Sequence, residues 1–344
     1  MRRNYFILKL LIIFIVLFSS FQIFPQSNKF DIEYITTQDG LSSACVPKII
    51  QDSQGFMWFA TEGGLNRYDG YNIKHYDCGE KVIRTIFEDP ADSGKILWIG
   101  TGGELFKFET ENEKFIKLQL NDAKVNNTSQ TYITCIYKDR DGFYWIGTEG
   151  AGLYMFNPKT GRLIRYLPDP NESGSLSPGC IFAICQDYLG YLWIGTVSGL
   201  DRFDRKTKKF NHYKYDPNNP HTLESDHIYS LFEDSDKILW IGTLETLFKY
   251  DRKNDRFIRP LFYNLDKPFI IKSQIFSITE DNQKTLWFSY GTGVCAVPQD
   301  RKNIKFYSDS SNVSLTSSVC IDRSGNIWIG TYCSGIQKLK GETK

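Results

Sequence analysis

Seven tryptophans recur at near-constant spacing through a chain of 344 residues, each in a short apolar segment that follows an aspartate, and no tryptophan falls outside the series. Together these observations predict an all-β chain folded as a seven-bladed β-propeller with four-stranded blades. Composition agrees, with 15% aromatic residues, among them twenty tyrosines and twenty-five phenylalanines. Such residues favour pleated, half-buried strands. Runs of helical period are scarce.

The tryptophans, Trp58, Trp98, Trp145, Trp193, Trp240, Trp287 and Trp328, are 40, 47, 48, 47, 47 and 41 residues apart. Around them stand MWFAT, LWIGT, YWIGT, LWIGT, LWIGT, LWFSY and IWIGT, each beginning five to eight residues after Asp52, Asp89, Asp139, Asp187, Asp234, Asp281 or Asp322. Three residues before each aspartate is an aliphatic one, from Ile49 to Val319. The unit therefore reads as a strand, a tight turn and a second strand. In four units a glycine, Gly55, Gly142, Gly190 or Gly325, sits where a hairpin turn needs one residue at positive φ. The other three have longer or glycine-poor turns, such as Pro90 to Gly94.

A third strand follows a Gly-rich turn, as in LNRYD from Leu65 or LDRFD from Leu200, and a fourth comes next, as in IKHY from Ile73 or FNHY from Phe210. The seventh unit supplies three strands, ending near Leu339, whereas Phe30 to Tyr34 has the fourth-strand pattern ahead of the first unit. This N-terminal strand is expected to complete the last blade and so remove an exposed sheet edge. One blade buries too little surface to be stable alone, so the tryptophans are expected to fill the gaps between blades. Seven equivalent copies are what packing requires. A binding site needs only one or two.

Residues 1–26, with Arg2-Arg3 ahead of an apolar run to Phe18, read as an export signal or an N-terminal anchor, and 28–344 as the propeller. Forty-one basic against forty acidic residues, without a block of either sign, point away from nucleic acid as a partner. Any membrane association would run through the N-terminal segment. No CxxC or paired histidine gives a metal spacing, and no cofactor motif is present. Cys135, Cys185 and Cys320 fall inside apolar strands and are read as small buried hydrophobes. Cys45 and Cys333 lie on neighbouring blades and are candidates for one disulfide.

The pattern D-x-x-G-x-x-W-I-G-T followed by G-L-x-x-Y/F-D, as in Asp139 to Thr148 with Gly152-Leu153, resembles the two-component regulator propeller repeat. The opening Gly40-Leu41-Ser42-Ser43, with Gln51 to Trp58 and Gly64 to Gly70, is similar to the start of the periplasmic sensor region of Bacteroidetes hybrid two-component systems. That resemblance, over about 28–344, implies a periplasmic sensor that responds to an oligosaccharide. In the family, two propellers precede a β-sandwich, a membrane helix and transmitter domains. This sequence carries one propeller and no transmitter, so a truncated sensor and a free-standing relative both remain open. A second propeller or a second copy is the partner the family implies.

In a propeller the first strands start, and the turns between strands two and three emerge, at one face where loops from every blade converge on the channel. Those positions hold Glu62, Arg84, Tyr132, Glu149, Phe182, His227, Tyr229, Glu245, Phe276 and Tyr332. Aromatic rings beside charged and hydroxyl groups suit a sugar. A non-enzymatic sensing module is the leading expectation, with an envelope protein-binding scaffold as the alternative. A propeller glycosidase or lyase is the third reading, but it needs two carboxylates set across a bond, and no pair stands out among Glu62, Glu149 and Glu245.

Overall fold

A computed structural model of the protein describes residues 32–80, 82–120, 132–264, 267–308 and 314–340. The leader segment at 1–26 lies outside the described residues, as do Phe30 and Asp31 of the expected closing strand. Seven four-stranded antiparallel sheets are present, each a meander in sequence order except the last. The innermost strands are Lys48–Gln51, Ile83–Glu88, Ile133–Lys138, Ile181–Gln186, Ile228–Glu233, Ile278–Glu280 and Thr316–Ile321. They pack on one another around the ring and line a central channel. Sequence reading thus located every blade. A short additional hairpin, Phe262–Asn264 with Lys267–Phe269, was not foreseen.

The last blade consists of Thr316–Ile321, Ile327–Thr331, Ile336–Leu339 and, outermost, Ile32–Ile35. Ile32 pairs with Leu339 and Ile35 with Ile336, so the N-terminal strand closes the ring as expected.

The recurrent aspartate and tryptophan form one clasp. In blade 4, Asp187 Oδ1 accepts the N–H groups of Leu189 and Tyr191 and thereby shapes the turn. Its Oδ2 accepts the indole N–H of Trp193 at 3.0 Å. The same bond joins Asp52 to Trp58, Asp139 to Trp145, Asp234 to Trp240, Asp281 to Trp287 and Asp322 to Trp328. A carboxylate is needed because one side chain must satisfy three donors in a buried turn. Blade 2 departs: its longer turn leaves Asp89 holding Lys138 and the Tyr144 hydroxyl, and among the described residues no carboxylate accepts the Trp98 indole N–H. Gly142 and Gly190 take positive φ, 86° and 91°, in the clasped turn. In blades 5 and 6 Lys237 and Lys284 take it instead, at 66° and 61°, which explains how those turns do without glycine.

Five of the turns are also tied to the next blade. The N–H groups of Ser53, Arg140, Tyr188, Ser235 and Arg323 donate to Glu88, Gln186, Glu233, Glu280 and Gln51 respectively, the last of these bonds linking blade 7 to blade 1. The tryptophans lie in these seams as predicted: Trp58 is fully buried against Ile83, Ile86 and Phe108 of blade 2. Close approach requires the glycine of W-I-G-T. A Cβ on Gly195 would come within 2.8 Å of Ile228 Cγ2, and one on Gly242 within 2.5 Å of the Ile275 carbonyl.

Candidate functional site

At one end of the channel, in five blades, a residue just ahead of the innermost strand accepts a backbone bond from the residue after the second strand. Glu62 N–H reaches the Cys45 carbonyl, Glu149 that of Tyr132, Leu244 that of His227 and Tyr332 that of Leu315. This ladder holds five of the ten expected positions, Glu62, Tyr132, Glu149, His227 and Tyr332, at one rim.

A second device turns side chains toward that rim. In five blades the innermost strand skips one residue of its register, at Arg84, Thr134, Phe182, Tyr229 and Ser317. Such β-bulges re-aim the skipped side chain. Blade 6 reaches the same result differently, with the Ser289 hydroxyl accepting the N–H groups of both Phe276 and Ser277 at 2.9 and 3.0 Å. Two of the bulged side chains are spent on the ring itself. Thr134 donates to the Ile181 carbonyl and Ser317 to that of Val46. Arg84, Phe182, Tyr229 and Phe276 remain for other work.

The rim has two sectors. Blades 4 to 7 carry an unbroken aromatic arc: ring centroids are 4.9 Å apart for Phe182 and Tyr229, 4.8 Å for Tyr229 and Phe276, and 5.9 Å for Phe276 and Tyr332. His227 stands 6.4 Å from Tyr229 at the outer lip. Tyr332 is 39% exposed, yet protein crowding around it pushes its hydroxyl up to about 12. Blades 1 to 3 carry the polar sector. The Arg84 guanidinium lies 3.7 Å from Glu62 and 5.3 Å over the Tyr132 ring. Tyr132 in turn rests on Gly102, where an added Cβ would meet the ring at 3.1 Å. Glu149 bridges to Cys180 of blade 4.

Glu245 is the position that does not join. Its N–H is tied to Thr243 Oγ1, its side chain is exposed, and among the described residues no hydrogen bond or ion pair links it to the other nine. Cys45 and Cys333 are both free thiols. Cys333 Sγ is bonded to Ser314, and burial together with Glu62 pushes the Cys45 thiol up to about 12. The rim residues missed by sequence reading are Cys180 and the bulged Thr134 and Ser317, which only a strand-by-strand alignment of the seven repeats would have placed together.

Fold, clasp and rim define a closed seven-bladed propeller with one chemically varied mouth. Residues 40–63, 128–150, 175–198, 222–245 and 308–333 match the profile of the two component regulator propeller, so the chain carries that family's repeat in blades 1, 3, 4, 5 and 7. No curated protein matches the sequence. Among solved structures, the extracellular domain of the hybrid two component system BT3049 from B. thetaiotaomicron is similar at 23% identity, TM-score 0.74, over 90% of this chain and 42% of that one. The extracellular domain of BT4673 from the same organism is similar at 21% identity, TM-score 0.71, over 92% and 40%. This chain therefore spans less than half the length of either. Virginiamycin B lyase from Staphylococcus aureus shares the fold at 14% identity, TM-score 0.66, over 91% and 99%.

Proposed function

We propose that this protein is an exported, non-enzymatic sensing propeller, acting in the periplasm as part of a carbohydrate-responsive two-component system, and that its ligand docks on the rim. The observation that carries the reading is the arc of Phe182, Tyr229, Phe276 and Tyr332 on four consecutive blades, with Arg84, Glu62 and Tyr132 on the same rim. Half-buried rings offer flat apolar faces of the kind that cover the C–H faces of sugars, and a few polar groups opposite fix orientation. The repeats and the likeness to the two extracellular domains support the sensor role. An export signal in residues 1–26 is part of the same proposal.

Calorimetric titration against a panel of neutral, amino and acidic oligosaccharides, with product analysis of each mixture, tests it. Saturable binding without turnover is expected. Cleavage or elimination of a bound glycan would replace the reading with an enzymatic one, and an absence of any glycan binding would leave the protein-scaffold alternative.

A further inference from the structure

The connection that leads into Phe182, residues 167–180, runs along the outer strand of blade 4 and is fastened to that blade at three points. Phe210 N–H donates to the Gly174 carbonyl at 2.9 Å. Ser177 donates to Asp201 from both its N–H and its hydroxyl, at 2.8 and 2.7 Å. The His212 ring makes the third fastening: Nδ1 lies 2.6 Å from Asp201 Oδ1, and Nε2 lies 3.0 Å from the Ser173 carbonyl. A carboxylate and a carbonyl can only accept. A neutral imidazole carries one N–H, so serving both partners requires the doubly protonated ring.

Loss of that proton breaks one of the two bonds, and burial decides which. Asp201 is 0% exposed, so giving up a donor would leave a desolvated charge one bond short, whereas Ser173 is exposed and its carbonyl can turn to water. The proton therefore stays on Nδ1, and Nε2 sets a lone pair against the Ser173 carbonyl. Two other blades fasten the same connection without this sensitivity. In blade 5 Phe257 N–H holds the His221 carbonyl as Phe210 holds Gly174, and the places of Ser177 and His212 are taken by Glu224 and Arg259, an ion pair at 2.7 Å. In blade 1 His75 pairs with Asn66 as His212 pairs with Asp201, and its Nε2 meets the Gly40 carbonyl, which a neutral ring can serve. Among the described residues only blade 4 sets a buried carboxylate against a histidine. The other charged groups around His212 are Lys214 on its own strand and, lining the same cleft, His221, Asp255 and Arg256 from blade 5 and the connection into it. Asp255 is held by the Tyr213 and Tyr250 hydroxyls and Arg256 by Asp251, so Asp201 is the carboxylate that answers the ring.

We propose that His212 is a pH-operated latch: protonated, it holds the connection against blade 4 and keeps Phe182 seated in the aromatic arc, and deprotonated, it releases residues 173–177 and loosens the hold of the rim on its ligand. The bond to Asp201 raises the His212 pKa, so the latch opens on the alkaline side of 6.5. Only the last step, the change in ligand affinity, rests on the rim as a glycan site. Hydrogen–deuterium exchange of the wild-type protein, corrected for the intrinsic pH dependence of exchange, is compared at about pH 6 and about pH 9, and affinity for the glycan panel is measured at both. Protection of residues 173–180 should fall about fivefold or more at the higher pH, while the corresponding 220–227 of blade 5 stays unchanged and His212→Gln shows the low protection at both values. Equal protection of 173–180 in the wild type at the two values overturns the latch, as does an equal fall in 220–227; this comparison decides alone should the variant not fold. A glycan bound at the lower pH should bind several-fold more weakly at the higher in the wild type, and equally weakly at both in His212→Gln. A connection that loosens without any change in that affinity overturns the coupling to the rim. If no glycan binds at either pH, the rim reading fails, and the latch still stands or falls by the exchange result.

Discussion

Asp187 and Trp193 show how one pair of residues is asked to do three things: shape a turn, satisfy a buried indole and hold a neighbouring blade. The carboxylate also lies 3.6 Å from Arg252 of blade 5, as Asp139 lies 2.5 Å from Arg205 of blade 4. Trp193→Phe removes a bond that the buried Asp187 then lacks, a loss of about 1–3 kcal/mol beyond the change in packing. Trp98 has no such bond, so Trp98→Phe should cost less by that same margin. Urea unfolding of the two variants makes the comparison, and equal losses would mean that the clasp contributes little. At this scale the sequence was readable where the requirement is chemical. Asp and Trp six residues apart announced themselves six times, and blade 2 stood apart by its nine-residue spacing, but that its Asp89 turns to Lys138 and Tyr144 instead of Trp98 is not written in the spacing.

Among elements, the seams between blades decide what is tolerated. Ala60 and Ser289 occupy the W-I-G-T glycine position in blades 1 and 6, but in blade 5 the Ile275 carbonyl leaves no room for a Cβ. Gly242→Ala should therefore destabilise by about 1–3 kcal/mol, since backbone must move to admit the methyl. A melting temperature equal to wild type would show the seam to be compliant. In blade 4 the loop before Phe182 is fastened by a charged cluster. Buried Asp201 accepts from Ser177 N–H and Oγ and contacts His212 Nδ1 at 2.6 Å, while His212 Nε2 reaches the Ser173 carbonyl. The bond to Asp201 raises the His212 pKa against burial and against nearby Lys214.

A raised folded-state pKa means that this contribution is fully present below the ordinary histidine value of 6.5 and fades as pH rises through the folded value. Stability should thus fall on the alkaline side of 6.5, and His212→Gln should flatten that slope. An unchanged pH profile in His212→Gln would assign the slope to other groups. Blade 1 fastens its corresponding loop with neutral Asn66 on Ser42. Strands were legible from period and aromatic content, but the bulges were not. A bulge is a skipped register, and Arg84, Thr134, Phe182, Tyr229 and Ser317 share no chemistry that would mark it.

For the whole molecule, closure rests on Ile32–Ile35 paired with Ile336–Leu339 and on the bond from Arg323 N–H to Gln51. Removing residues up to Ile35 would expose the edge of the last blade and the side chains packed under Ile35. The truncated chain should melt earlier and associate in gel filtration, and a monomer of wild-type stability would show that the closing strand is dispensable. The ring was visible in the sequence because each blade repeats one solution to one packing problem. The mouth was visible only as a set of positions, of which nine gather and Glu245 does not, because the recognition we propose uses what differs from blade to blade. Binding of the glycan panel by wild type and by a Tyr229→Ala, Phe276→Ala double variant of matched melting temperature tests that claim most directly. The account predicts at least a tenfold loss of affinity in the variant, and equal affinity of the two proteins for the same glycans would contradict it.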